Sequence, residues 1–427
     1  MGGRAVVLAG GGPKGAYELG AWMALREMDV RYDALYGTSI GAINAALMAQ
    51  GDFDEARALW ESITPAQVIG GLDPALAMEA LPLGSKDIVP FLKRYVHHRG
   101  MDIGPFKALV ERTIDEDKIR AAGLRMGFVA VRYPSLRPLE ITLDEIPRGR
   151  LIDYIMASSA CFPAFPVYRI GDAGYIDGGY YDTLPINFAL RDGADEVVAI
   201  DLFDRPLHAH FRKKPFVTYI KPSWPLGGYL QMGQSELRRS ARLGYLDALK
   251  AYGRLDGYRY ALTPGGRDCD ERRAGRFALA LSRLEGRMAY RSTIARGPAG
   301  APLSAALLGA MDDAAPTACN LYAAGREICA RLFDVDPLEI YTRQSLNGLL
   351  RARLHALTGA APGEPGTIEA MLRRIAGAKP SERAMLAAQV YERLNAADQL
   401  DDKWLRGAHR MPGEVIAAHY LQAALDE

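Results

Sequence analysis

Residues 4–50 read RAVVLAGGGPKGAYELGAWMALREMDVRYDALYGTSIGAINAALMAQ, and their alternation of apolar runs with glycine clusters decides the fold class. Arg4 to Ala9 is a short apolar run ended by glycines, which predicts a buried strand. Ala16 to Met28 places Tyr17, Leu19, Ala21, Trp22, Leu25 and Met28 largely at helical spacing. Tyr32 to Tyr36 predicts a second strand, and Ala42 to Gln50, closed by Gly51, a second helix. Strand, glycine loop, helix, strand, sharp turn, helix is the opening of an α/β fold with a mostly parallel sheet flanked by helices.

Further along, Gly127–Arg132, Pro138–Leu143, Glu196–Asp201 and Val217–Lys221 predict strands, with Glu196–Asp201 at the sheet centre. Leu151 to Ala160 predicts a helix. Glu61 to Gly104, interrupted by Pro65, Pro74, Pro82 and Pro90, is irregular and reads as an insertion or lid. Beyond about Pro225 strand-like runs stop and alanine, arginine and leucine dominate, so a mainly helical C-terminal region follows. Thr367, Ile368, Met371, Leu372 and Ile375 mark one helix there, and Leu386, Val390 and Leu394 another after Pro380. The Gly/Pro/Ala-rich stretches 297–302 and 359–366 read as punctuation between helices.

Three motifs carry chemistry. Gly37-Thr38-Ser39-Ile40-Gly41 lies between a predicted strand and a predicted helix, the setting of a nucleophile elbow. The serine must sit on a strained turn so that its Oγ projects, and small residues at 37 and 41 let that turn close. Gly10-Gly11-Gly12-Pro13-Lys14-Gly15 exposes backbone N–H groups toward a shared point, a nest for developing negative charge. Pro13 has no N–H, which leaves Gly11, Gly12 and Lys14 as the natural donors, with Gly10 and Gly15 completing the loop. The Lys14 side chain either adds positive charge there or is an ordinary surface lysine. Asp177-Gly178-Gly179 follows a strand-like lead, Gly174-Tyr175-Ile176. By itself it is a turn; beside a serine elbow it supplies a carboxylate base.

A serine hydrolase of the usual α/β order needs a histidine after its acid. His208 and His210 are the histidines between Asp177 and the helical region, in a basic loop, and His208 stays open as an alternative base. A Ser39–Asp177 dyad accounts for the motifs with fewer parts. His97 and His98 read as surface or lid residues. The glycine loop also contains G-x-G-x-x-G, but a dinucleotide site wants an acidic residue at the end of the second strand. That strand instead runs into the serine elbow, and no G-K-[ST] follows for a P-loop.

These stretches resemble the patatin-like phospholipases. Leu8 to Gly15 looks like their glycine-rich oxyanion loop, Gly37 to Ala45 like their serine elbow, and Asp177-Gly178-Gly179 with Pro185 like their D-G-[AG] element. Ala157-Ser158-Ser159-Ala160, Phe162-Pro163 and Phe165-Pro166 resemble the segment before it. The resemblance covers roughly residues 5–205. It implies a catalytic domain over that span; the change of pattern beyond it adds a 206–225 linker with the last strand and a helical region of unassigned role over 226–427. It further implies a patatin-like three-layer core, a Ser39–Asp177 dyad, an oxyanion loop of Gly10, Gly11, Gly12, Lys14 and Gly15 supported by Gly37, Gly41, Gly178 and Gly179, no metal or other cofactor, and release of fatty acid from phospholipid or another acyl-ester lipid. Proline at position 13 departs from the usual small residue there. Ala241 to Asp247 is reminiscent of some bacterial members only. Acyl transfer to a lipid acceptor, or a lipid- or nucleotide-binding protein with a vestigial site, are the competing readings.

Composition narrows the rest. Of 427 residues 49% are apolar and 24% charged, and the net charge of +1 gives no global electrostatic case for nucleic acid. The four cysteines, Cys161, Cys269, Cys319 and Cys329, are scattered without metal or redox spacing and read as thiols in a reducing cytoplasm. The apolar run after Arg4 is shorter than a signal-peptide core, and no segment reaches the ~18–20 apolar residues of a membrane span. Any membrane contact is therefore expected to be peripheral. Arg238, Arg239 and Arg242 share a predicted helix and would face either phospholipid headgroups or water, and the helical region offers a surface for oligomerisation, a lid or a partner.

Overall fold

The computed structural model describes residues 2–70, 101–228, 232–265, 270–291, 301–311, 314–358, 379–397, 400, 404–405 and 408–425. Contacts divide the chain into two units, Met1–Tyr252 and Gly253–Glu427.

The first unit holds strands β1 (Gly3–Leu8), β2 (Ala34–Thr38), β3 (Arg125–Tyr133), β4 (Arg137–Thr142), β5 (Tyr168–Ile170), β6 (Ala173–Asp177), β7 (Ala194–Ile200) and β8 (Val217–Ile220). They form one sheet in the order β5-β6-β3-β2-β1-β7-β8, with β4 paired to β3. The β3–β2, β2–β1, β1–β7 and β7–β8 pairs are parallel, and β3–β4, β3–β6 and β5–β6 are antiparallel. The fold is α/β with a mixed, mostly parallel sheet, as the sequence predicts. Two details differ. β2 ends at Thr38 rather than Tyr36, so the strand delivers the serine directly. β7 is buried between β1 and β8 but second from the edge, because β8 closes the sheet beside it and does little more than cover one rim.

Its described helices are α1 (Ala16–Glu27), α2 (Ile40–Gln50), α3 (Phe53–Ser62), α4 (Gly104–Thr113), α5 (Glu116–Ala121), α6 (Leu151–Ser158), α7 (Ile186–Arg191) and α8 (Gln234–Ala251). α2 is apolar nearly all round and buried from Gly41 to Ala49, as a helix packed on both sides must be. α8 packs on α1 through two glycines: a Cβ on Gly20 would lie 1.7 Å from Ala241 O, and one on Gly244 would lie 1.9 Å from Tyr17 O. Beside that crossing, buried Asp247 accepts from Tyr17 Oη at 2.9 Å and pairs with Lys250 at 2.9 Å. The 241–247 segment is therefore part of the first unit. Arg239 donates to Pro225 O, and the Arg242 guanidinium lies 5.3 Å from the Tyr245 ring centroid.

The excursion after α3 is closed at its base by a bridge between Gly70 and Asp102. Residues 71–100, including His97 and His98, lie outside the described residues. In the second unit the described helices are Glu271–Arg291, Pro302–Ala310, Ala318–Leu332, Arg343–Thr358, Pro380–Ala397 and Pro412–Leu425. Leu386, Val390 and Leu394 are buried in the fifth of these, as their spacing predicts. The helix expected around Ile368 lies outside the described residues, as do residues 297–300 and 359–366 of the Gly/Pro/Ala-rich stretches. Strand structure does not vanish beyond Pro225: Ala261–Leu262 and Ile340–Tyr341 pair in parallel, too short to register as a sequence pattern. Cys161 and Cys329 are free thiols, but Cys319 is disulfide-bonded, which corrects the reading of four separate thiols. Among the described residues no helix is long and apolar enough to cross a membrane.

Candidate active site

The pairing of β3 explains why two residues far apart in sequence meet. One edge of β3 pairs with β2 as far as Thr38↔Val129, then with antiparallel β6 from Ala130↔Asp177 onward. The carboxyl ends of β2 and β6 therefore face each other on one edge of β3. Ser39 follows the first and Asp177 ends the second.

Ser39 adopts φ 56° and ψ −124°, a positive φ outside the ordinary range for a residue with a side chain. Strain of this kind costs about 1–3 kcal/mol and persists where the surroundings over-determine it. Here the surroundings are glycines and a serine. A Cβ on Gly37 would lie 2.2 Å from Gly41 O, and one on Gly41 would lie 2.5 Å from Leu8 O. The turn closes only without side chains at these positions, as the motif reading requires. Gly41→Ala is expected to destabilise the fold by about 1–3 kcal/mol and to slow fluorophosphonate labelling of Ser39; urea denaturation and labelling rates check it.

Ser39 Oγ donates to Asp177 Oδ2 at 2.6 Å. Asp177 Oδ1 accepts from Gly179 N at 2.7 Å, so the Asp-Gly-Gly turn orients the carboxylate. Gly178 must be small because a Cβ there would lie 2.2 Å from Val129 O. Asp177 is 7% exposed, and burial pushes its pKa from 3.8 up to about 6 against the lowering effect of its two hydrogen bonds. α2 begins at Ile40, so its amino end, with unpaired N–H groups, bears on the serine.

The glycine loop forms a 3-10 turn over Gly12–Gly15 that runs into α1. Its donors are unequal. Gly10 N donates to Thr183 O at 2.9 Å, and Lys14 N to Gly11 O at 3.4 Å. Gly11 and Gly12 N–H make no such bond among the described residues. Of the three natural donors read from the sequence, Lys14 spends its N–H on holding the loop, as does Gly10 beside them, which leaves the Gly11 and Gly12 N–H groups without such a bond. The Lys14 ammonium stands 4.4 Å from the Phe203 ring centroid, and burial lowers its pKa against the raising effect of Asp204 and Asp201.

His208 is not on the serine. Its Nε2 lies 3.1 Å from Asp182 Oδ1, a bond that raises its pKa. Asp182 O in turn accepts from Thr38 Oγ1 at 2.8 Å.

Sequence reasoning missed the groups that brace the elbow. Ser158 Oγ, fully buried at the end of α6, accepts from Ser39 N at 2.9 Å and donates to Val129 O at 2.6 Å. The Ala-Ser-Ser-Ala stretch was visible only as part of a familial pattern; no spacing rule links it to a turn more than a hundred residues earlier. Asp182 and Thr183, whose carbonyls hold Thr38 and Gly10, carry no side-chain signal at all. Ser158→Ala leaves Ser39 N unpaired in a half-buried place. It is expected to cost about 1–3 kcal/mol, read by urea denaturation, and to lower the labelling rate of Ser39.

An α/β sheet with a strained serine hydrogen-bonded to a buried aspartate, both at strand carboxyl ends, defines the class of protein. Residues 6–190 match the family profile described as Patatin-like phospholipase, the family that the sequence resembles. The cUMP-AMP-activated phospholipase of Escherichia coli is 29% identical over 215 residues, 44% of this chain and 58% of that protein. An uncharacterized NTE family protein of Mycobacterium tuberculosis is 30% identical over 200 residues, 46% of this chain and 30% of that protein. The chain thus spans less than two thirds of the length of these relatives. Among solved structures, VipD from Legionella pneumophila aligns with a TM-score of 0.41 and 13% identity, over 100% of this chain and 90% of that one.

Proposed function

We propose that the first unit is a lipid acyl hydrolase of the phospholipase A or lysophospholipase kind, working through Ser39 and Asp177. The observation that carries this reading is the 2.6 Å hydrogen bond from Ser39 Oγ to a buried carboxylate whose pKa stands near 6. Asp177 takes the Ser39 proton as Oγ bonds to the ester carbonyl carbon. The oxyanion that forms is held by Gly11 and Gly12 N–H. The alcohol or lysolipid leaves with the proton from Asp177, and Ser39 carries the acyl group as an ester. Water then gives a proton to Asp177 and attacks that ester. Fatty acid is released and Ser39 regains its proton.

The family match and the phospholipase name of the Escherichia coli relative support lipid esters over other acyl donors. Peripheral contact with a membrane would bring such a substrate to the site.

The test is fatty-acid release from a panel of phospholipids, lysophospholipids and a short p-nitrophenyl ester. Release from any of them that tracks intact Ser39 supports the reading. Acyl product on an added lipid alcohol in place of free fatty acid would convert it to an acyltransferase. Failure of the folded protein to react with a fluorophosphonate would leave a vestigial site.

A further inference from the structure

Behind the glycine loop lies a buried polar cluster that the proposed reaction does not use. Asn44, on α2, is 5% exposed. Its Nδ2 donates to Gly15 O at 3.0 Å and to Glu18 Oε2 at 2.7 Å, and its Oδ1 accepts from Trp60 Nε1 at 3.1 Å. Three elements converge on one amide: the end of the glycine loop with α1, the elbow helix α2, and α3. The amide has one workable orientation. Flipping it would set its oxygen against the Gly15 carbonyl and its amino group against the indole N–H, losing both of those bonds. Glu18 is 1% exposed and its Oε1 has no hydrogen-bond partner, while burial holds its pKa well above the ordinary carboxylate value. Burying polar groups is costly unless they hydrogen-bond one another, and a network so bonded holds its elements in one arrangement.

The geometry it specifies is the seat of the glycine loop. Gly15 is pressed onto the first turn of α2: a Cβ there would lie 2.5 Å from Ile40 Cγ1 and 3.0 Å from both Asn44 Nδ2 and Trp60 Cζ2. Ile40 is the residue next to Ser39. We propose that Asn44 is a positioning residue, which ties the Gly15 carbonyl to the elbow helix and so sets the distance between the Gly11 and Gly12 N–H groups and Ser39 Oγ. Glu18 and Trp60 act through it by fixing the amide's orientation.

The inference rests on the proposed reaction only in assigning the oxyanion to Gly11 and Gly12, and one arm of its test is independent of activity. Hydrogen–deuterium exchange of the full chain reads the loop directly in peptides covering residues 9–19. Turnover of a soluble ester, divided by the number of sites titrated with fluorophosphonate, reads the chemistry. Asn44→Ala is expected to speed exchange of the loop amides and to lower kcat per titrated site by about 10–100-fold with KM little changed, as a small misplacement of transition-state donors does. Trp60→Phe keeps the ring and removes one bond, so the same changes in smaller measure are expected; it decides the matter if Asn44→Ala does not fold. Glu18→Gln keeps an acceptor for Asn44 and is expected to stay within about threefold of wild type, whereas Glu18→Ala is expected to follow Asn44→Ala.

Unchanged loop exchange in Asn44→Ala and Trp60→Phe overturns the proposal. So does faster exchange with wild-type kcat per titrated site, the signature of a merely structural residue. A wild-type protein that hydrolyses no ester overturns the proposed function instead, and the exchange arm then decides the positioning alone.

Discussion

Asp177→Asn is expected to lower ester turnover by about 10⁴-fold or more while making the folded protein more stable at pH 7. Asparagine fits the same space, and its oxygen still accepts from Gly179 N. Its amino group would donate to Ser39 Oγ, so the serine loses the acceptor for its proton. The stability gain follows from the raised pKa. Burial moves Asp177 from 3.8 to about 6, whereas in the unfolded chain it titrates near 4. Between those values the folded chain holds a proton that the unfolded chain has released. Stability therefore falls as pH rises through roughly 4 to 6, and above about 6 the full penalty remains, on the order of 3 kcal/mol. Asparagine carries no such penalty. Urea denaturation at pH 7 and pH 4 should show the variant's advantage at pH 7 and its disappearance at pH 4. Ser39→Ala is expected to lose turnover to a similar extent, without relief of the strain at φ 56°, since alanine pays the same conformational cost. An Asp177→Asn protein within tenfold of wild-type turnover would move the base elsewhere.

The pH dependence of wild-type turnover is the second large effect. The base must be ionised, and the pKa of about 6 places the inflection there. kcat/KM should fall about tenfold for each pH unit below the inflection and level off above it. His208, whose pKa is raised by its hydrogen bond to Asp182, is the other titratable group to separate. His208→Gln should leave the inflection in place, because its ring is bonded to Asp182 and not to Ser39. An inflection that disappears in His208→Gln, with Asp177 still in place, would reverse the assignment.

Much of this was legible without coordinates. The glycine loop and the elbow each sit between a strand and a helix, and both local periods are strong enough to place the elements within a residue or two. Asp177 was legible more weakly, because an Asp-Gly-Gly turn is common. It stood out by the want of a well-placed histidine and by the family pattern. The family pattern, in turn, spoke for residues 5–205 and left the helical region without a role.

The sequence by itself determined the class of fold, the strained serine and the glycines around it, because these follow from backbone sterics acting over a few residues. Only the tertiary structure decided which partners those residues have. β6 runs antiparallel to β3, so its end meets the end of β2 and brings Asp177 to Ser39. Gly10 N is taken by Thr183 O and Lys14 N by Gly11 O, so among the loop amides those of Gly11 and Gly12 keep no such partner. Ser158, Asn44 and Glu18 hold the elbow and the loop through hydrogen bonds across long sequence separations. Such bonds depend on strand order and helix packing, and no short-range pattern in the chain encodes either.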